Sequence, residues 1–258
     1  MTKRLVLLST VGFALLFSFP AESQPRSRKL IRLLQEGKVA FGSFVRERTP
    51  AGAAALAANE DLDFLFYDLE RGEVDVEELG GFLKGIRSAD DPHTVLVRIA
   101  PIANDPELAR RRIETLVEVG VDGVALPHVM SVEEARTAID WIEQATDRMW
   151  PGNPEGDFLS FLMIEDPDVL SQASAIVGTN GVSIASPGPG SLRQAYGGDM
   201  DAVAKAVETV LSACKQNDVP CANTASERDI EDKVRRGFRV LITQGEALAL
   251  GRAAAGRN

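Results

Sequence analysis

The chain has 258 residues, 45% of them hydrophobic and 26% charged, which suits a soluble α/β core and is too apolar for a disordered chain. A formal net charge of -10 at pH 7 excludes nucleic acid and anionic membrane surfaces as main partners. An anionic ligand would need a local group of arginines rather than a basic protein.

The first residues read as an export leader. Lys3 and Arg4 precede an apolar run over 5–19, then Pro20 and Ala21-Glu22-Ser23. That pattern is expected to be cleaved after residues 1–23, leaving 24–258 as one domain, exported to the periplasm or secreted. The run is shorter than the ~20 residues of a membrane span, so no span is expected after cleavage.

Residues 26–36 then read as a short basic amphipathic helix. Strands are predicted over 39–45, 64–69, 94–99, 123–129, 158–165, 181–185, 219–223 and 239–243, each a short apolar run bounded by Gly, Pro or charge. Most lack polar alternation, as strands covered on both faces do. Helices are predicted over 107–119, from Ser131 as N-cap with Glu134 at the capping-box position, and over 201–216, 229–236 and 247–255. Roughly eight βα alternations predict an α/β fold, a single (β/α)8 TIM barrel. A doubly wound open sheet is the alternative, but no G-x-G-x-x-G follows the first strand and no P-loop occurs. The Pro/Gly-rich stretch 149–157 is read as a loop in which Trp150 is a lid, a subunit contact or part of a plain surface turn. Cys214 and Cys221 are expected to be small buried apolar residues rather than a disulfide, and their spacing offers no zinc site.

The chemistry lies where the strands stop. The run Phe64-Leu65-Phe66-Tyr67-Asp68-Leu69-Glu70-Arg71 takes an apolar strand into carboxylates and a guanidinium. The third strand ends at Arg98, the fourth near His128, the fifth at Glu165 and Asp166, and a Gly/Pro loop, 186–192, follows the sixth. Charge at the end of a buried strand is costly unless paired or used. In a parallel barrel those ends share one mouth. Glu70 and Glu165 can hold a divalent cation through oxygen, Arg98 can bind a carboxylate or enolate, and the loop can offer backbone N–H groups to the same anion. The bland alternative for Glu70, Arg71 and Arg98 is a structural ion-pair network. His93 precedes the third strand and is placed at the far end of the barrel.

These residues carry a resemblance. Gly42-Ser43-Phe44-Val45, Tyr67-Asp68-Leu69-Glu70, Val97-Arg98, the stretch 120–127, Ile164-Glu165 and the Gly-Pro-Gly-Ser-Leu loop fall in the order seen in the HpcH/HpaI aldolases. These metal-dependent 2-oxo acid aldolases are grouped with the citrate lyase β-subunit in the pyruvate/phosphoenolpyruvate barrel superfamily. The resemblance covers about residues 29–252. It implies a carbon–carbon lyase that acts on a small anionic 2-oxo acid through a metal-stabilised pyruvate enolate, with Mg²⁺ or Mn²⁺ as cofactor. It makes Glu165 a metal ligand, Arg98 the group that holds substrate oxygens, and Glu70 a carboxylate beside the metal's waters. The amides of Gly190 and Ser191 would hold the pyruvate carboxylate. It also implies a homo-oligomer, with Glu118 matching a carboxylate that reaches a neighbour's site in some relatives.

Two departures stand out. Arg71 occupies the place of the family's acid–base histidine, and Ser191 that of its second metal-ligating aspartate. Arg71 cannot act as a base at neutral pH, and a hydroxyl is a poor substitute for a carboxylate on a hard cation. His128 is the candidate for the missing acid–base group. The other readings are an exported barrel that binds an organic acid after losing or changing the aldolase chemistry, and a partner-binding protein with a vestigial mouth.

Overall fold

A computed structural model describes residues 26–257. The leader expected over 1–23 lies outside the described residues. Strands and helices alternate along the chain: α1 (Lys29–Gln35), β1 (Ala40–Phe44), α2 (Pro50–Ala57), β2 (Phe64–Asp68), α3 (Val76–Ile86), β3 (Thr94–Arg98), α4 (Pro106–Val119), β4 (Gly123–Leu126), α5 (Val132–Ala145), β5 (Met149–Trp150) and β6 (Phe158–Ile164). Then follow α6 (Ala173–Val177), β7 (Ile184–Pro187), α7 (Pro189–Ala195), α8 (Met200–Gln216), β8 (Ala222–Thr224), α9 (Ile230–Arg236), β9 (Val240–Ile242) and α10 (Glu246–Ala254).

Every strand pairing is parallel. Pairing runs from β8 through β9, β1, β2, β3 and β4 to β6 and then β7. The bridge between Ala185 of β7 and Cys221, just before β8, closes the ring. That closure makes a (β/α)8 barrel and excludes the doubly wound sheet, whose edges stay open. Strand β5 is a short addition alongside the start of β6.

Alternation along each strand divides the apolar residues into two sets. Phe64, Phe66, Leu96, Ala125, Leu159, Phe161, Ile184 and Val240 fill the barrel, while Leu65, Tyr67, Val95, Val97, Val124 and Leu162 pack outward against the helices. Helix α1 closes the floor. Its Leu30, Ile31 and Leu34 are buried with the interior set, and the Leu30 N–H donates to Thr94 Oγ1 at 3.1 Å.

Local sequence explains the helix ends. Asp105 caps α4 with Pro106 in its first turn, and Gly120 stops it with φ 93°, a left-handed conformation that suits glycine. Ser131 Oγ accepts the Glu134 N–H at 3.0 Å, while the Glu134 carboxylate reaches back to the N–H of Met130 rather than to the cap itself.

Four expectations need adjustment. The sixth strand of the ring is Ile184–Pro187, later than 181–185. The Gly/Pro stretch after it is not all loop, because Pro189 starts α7. Trp150 belongs to β5, whose partners Phe158 and Leu159 begin β6, so it lies at the floor. There it packs half-buried against the interior set and cannot be a lid over the mouth. Helices α2 and α3 add to those read from the sequence. The cysteines are free and buried, as expected.

Candidate active site

The C-terminal strand ends enclose a cavity of about 700 Å³. Its lining includes Glu70, Arg71, Arg98, His128, Glu165 and Asp166. Gly190, Ser191, Thr224 and Ile242 complete the side formed by β7, α7, β8 and β9. All the strand-end and loop candidates named from the sequence for this pocket are therefore at one mouth. His93 is buried at the start of β3, at the floor, as expected.

Register builds the first cluster. Asp68 and Arg98 are direct partners across β2 and β3. The Arg98 guanidinium donates Nε–H to Asp68 Oδ1 at 2.9 Å and an Nη2–H to Oδ2 at 2.6 Å, a forked pair. It also lies 2.9 Å from Glu70 Oε2. Burial alone would raise the Asp68 pKa, but its bonds to Arg98 and the Glu70 amide hold it below the ordinary value. Burial likewise opposes the Arg98 charge, and Asp68, Glu70 and Glu165 more than restore it.

The second cluster joins β4 to β6. His128 follows β4 with φ 52°, a left-handed conformation uncommon for a residue with a side chain and frequent at functional sites. That turn aims its N–H at Glu165 Oε1, 3.1 Å away, and sets Nδ1 2.8 Å from Asp166 Oδ2. Nε2 then stands 3.7 Å from Glu70 Oε1 and 3.8 Å from Glu165 Oε1. Burial disfavours the imidazolium, but the bond to Asp166 and the charges of Glu165, Asp166 and Glu70 outweigh it, so the pKa is raised above 6.5. Adjacent Glu165 and Asp166 do not act as one pair: Glu165 turns to the cavity floor and Asp166 holds the imidazole.

Glu165 is the most buried of the paired charges lining the cavity, with 2% of its side chain exposed. Its Oε2 accepts the Ser191 hydroxyl at 2.9 Å. Gly188 lies so close that a Cβ there would sit 1.9 Å from the same oxygen. Gly190 and Ser191 fall in the first turn of α7, where amide N–H groups have no intrahelical acceptor.

The donor set does not suit a resident divalent cation. Both Glu165 oxygens are engaged by protein donors. Ser191 offers a neutral hydroxyl, Glu70 is paired with Arg98, and among the described residues no three His, Cys, Asp or Glu side chains gather around a metal position. Glu165 is the floor carboxylate that the resemblance names, and its neighbour at the position expected to carry a second acid is the Ser191 hydroxyl.

Sequence reading gave no organising role to two residues that hold the site together, Asp68 and Asp166. Asp68 stood in the quoted strand end, and strand order placed it beside Arg98. Asp166 was seen as a strand-end charge, but its pairing with His128 depends on the left-handed turn, which the sequence did not show.

Comparison with known proteins agrees with the architecture. The family described as HpcH/HpaI aldolase/citrate lyase matches residues 41–246. No curated protein matches the sequence. Among solved structures, an HpcH/HpaI aldolase from Desulfitobacterium hafniense DCB-2 superposes with TM-score 0.69 at 21% identity, covering 88% of this chain and 94% of that one. An HpcH/HpaI aldolase/citrate lyase family protein from Burkholderia cenocepacia J2315 gives 0.71 at 19% identity, covering 88% and 96%. The citrate lyase β subunit of M. tuberculosis, solved with oxaloacetate and magnesium, gives 0.61 at 19% identity, covering 86% and 99%. At these identities the superpositions speak for the fold, whereas the family match spans most of the chain. The chain belongs to the HpcH/HpaI aldolase/citrate lyase family.

Proposed function

We propose that this protein is an aldolase-like carbon–carbon lyase that cleaves a small 4-hydroxy-2-oxo acid to pyruvate and an aldehyde. One observation carries the reading. The His128 imidazole, held by Asp166 through Nδ1, presents Nε2 to an open cavity between Glu70 and Glu165. A base oriented by a carboxylate, inside a pocket with a guanidinium, is the equipment that retro-aldol cleavage requires.

In this reading the 2-oxo acid end lies deep, near Arg98 and the first turn of α7. Neutral His128 accepts the C4 hydroxyl proton at Nε2. The C3–C4 bond breaks, its electrons form the C2–C3 enolate, and the aldehyde carbonyl forms at C4. The enolate then takes a proton at C3 from the His128 imidazolium, which returns His128 to its neutral form, and leaves as pyruvate. Arg98 and the amides of Gly190 and Ser191 stabilise the developing negative charge. The magnesium of the M. tuberculosis relative is not carried over, because Ser191 stands where a second carboxylate ligand is expected, and no step is routed through a metal. Arg71, expected among the catalytic residues, takes no proton.

Pyruvate release from a panel of 4-hydroxy-2-oxo acids tests the proposal. The wild-type protein is expected to turn over at least one, and His128→Asn to lose about 10²- to 10⁴-fold in kcat. Glu165→Gln is the matched control at the floor. Stabilisation by oxo acids without turnover would instead favour an organic-acid-binding barrel. Export by the 1–23 leader and homo-oligomerisation are further proposals, tested by the mass of the periplasmic form and by light scattering. Glu118 is exposed near the end of α4, so a neighbour can reach it.

A further inference from the structure

We propose that Cys214 and Cys221 are an intramolecular disulfide site, and that the bond they form pins helix α8 to the strand that closes the barrel. The inference goes beyond the lyase reading and does not depend on it.

Inventory is the first argument. These are the only two cysteines in the chain, so a single connectivity exists. Their spacing in sequence gave no reason to join them, because it does not say where α8 ends or which way each side chain turns. The fold supplies both.

Geometry is the second argument. In the reduced protein the two Sγ atoms lie 2.7 Å apart. That is inside the roughly 3.5–4.0 Å at which unbonded carbon atoms, smaller than sulfur, pack best. Neither backbone is free to drift. Cys214 sits in the last turn of α8, and its carbonyl accepts the Val219 N–H at 3.0 Å. The Cys221 carbonyl accepts the N–H of Arg239 at 2.9 Å and of Val240 at 3.2 Å. Asp218, with φ 54°, turns the chain between them. Bridging therefore needs little backbone movement, which is the usual obstacle to joining two cysteines.

Surroundings are the third argument. Both side chains are buried in the apolar layer between the sheet and the helices. Among the described residues the only polar partner of either sulfur is the other, and no third ligand joins them around a metal position. The leader proposed over 1–23 would carry the chain to a compartment where disulfides persist.

The oxidant is a small-molecule or protein disulfide. One cysteine, as thiolate, attacks it and releases half of it as a thiol. The other cysteine then displaces the remaining half from the mixed disulfide. The Cys214 Sγ–Cys221 Sγ bond forms, the oxidant's S–S bond is reduced to two thiols, and the two cysteine protons pass to them. Burial, then the contact with Cys214, raises the Cys221 pKa, so exchange runs while the chain is still open. Once made, the bond ties β8, which brings Thr224 to the cavity, to α8, which packs outside β7.

The test equilibrates the purified protein in glutathione buffers of graded redox ratio, alkylates the remaining thiols under denaturing conditions and weighs the intact chain. The expected product is a single chain with neither cysteine alkylated. The equilibrium constant for closing the disulfide should be about 30-fold or more larger in the folded protein than in urea, the lower end of what a native disulfide contributes. By linkage the oxidised protein then unfolds at higher urea than the reduced one, and Cys214→Ala and Cys221→Ala lose that response to reductant. Two alkylated or glutathione-capped cysteines in the folded protein, a disulfide between two chains, or a folded-to-unfolded ratio near or below unity overturns the inference. If either variant fails to fold, the wild-type ratio decides by itself.

Discussion

At the scale of single residues, the mouth is fixed by close approach. Gly188 has no side chain because Glu165 occupies the space a Cβ would take, with its own Cβ only 2.5 Å from that position. Gly188→Ala must displace the buried carboxylate and with it the anchor of the His128 amide. Displacements of about 1 Å at a reacting centre can cost 10²-fold. Pyruvate release by Gly188→Ala should therefore fall at least tenfold, with urea denaturation showing a loss of about 1–3 kcal/mol from overpacking. Unchanged turnover would show that the floor carboxylate is not held as described. Ser191 gives the converse experiment. Ser191→Asp places a second carboxylate beside Glu165, so calorimetric titration with Mn²⁺ should show binding in the variant well above wild type. Equal binding in both would show that the wild-type donor set already suffices. Sequence could reveal that Ser191 stood in an acid's place, because that is a matter of residue identity. It could not reveal that the Ser191 hydroxyl donates to Glu165, because that depends on how α7 begins.

At the scale of elements, legibility followed contrast. Strands β2 and β3 were clear because an apolar run meets charge at its end, at Asp68 and at Arg98. Helix α2, with the sequence PAGAAALA, offers no apolar stripe against a polar face and left no periodic signal. Helix α3 does carry one, with Asp75 as cap and Leu79, Phe82, Leu83 and Ile86 buried, but Gly80, Gly81 and Gly85 lower its helix propensity and weaken the signal. Strand β7 slid by three residues because Val182 and Ile184 satisfy a strand pattern equally well. The floor gives a prediction at this scale. His93 is buried at the start of β3, with Nε2 2.9 Å from the Leu56 carbonyl at the end of α2 and Nδ1 3.5 Å from Lys29 Nζ on α1. Burial and then the Lys29 charge hold its pKa below 6.5, against the bond to Leu56. The unfolded chain therefore takes up the proton more readily than the folded one. Stability from this group is complete above pH 6.5, declines as pH falls below it towards the folded pKa, and levels beyond. Urea midpoints of wild type and His93→Gln from pH 7.5 to 5 should separate in slope, the variant losing less stability on acidification. Parallel slopes would mean that His93 is not buried neutral.

At the scale of the whole molecule, the barrel has one thin seam. From β8 round to β7 the neighbouring strands share registers of two or more residue pairs, but β7 and the start of β8 join through the single bridge between Ala185 and Cys221. Cys221 thus marks the closure, and the Cys214 thiol on α8 lies against it, sulfur to sulfur at 2.7 Å. Both are buried, and burial first, then Cys214, pushes the Cys221 pKa well above its ordinary value. A reagent that attacks thiolates can therefore reach them only when the structure opens. Parts of a fold held by fewer contacts open at lower free energy than the whole. Labelling by a disulfide reagent in rising urea should accordingly give an opening free energy for Cys221 below that of global unfolding by circular dichroism, while an amide in β2 or β3 should match the global value by hydrogen exchange. If Cys221 instead opens only with the whole barrel, helix α8 packed outside β7 holds the seam as firmly as the ladders hold the rest. The mouth built from β6, β7 and β8 would then be as rigid as the β2–β3 side that carries Arg98.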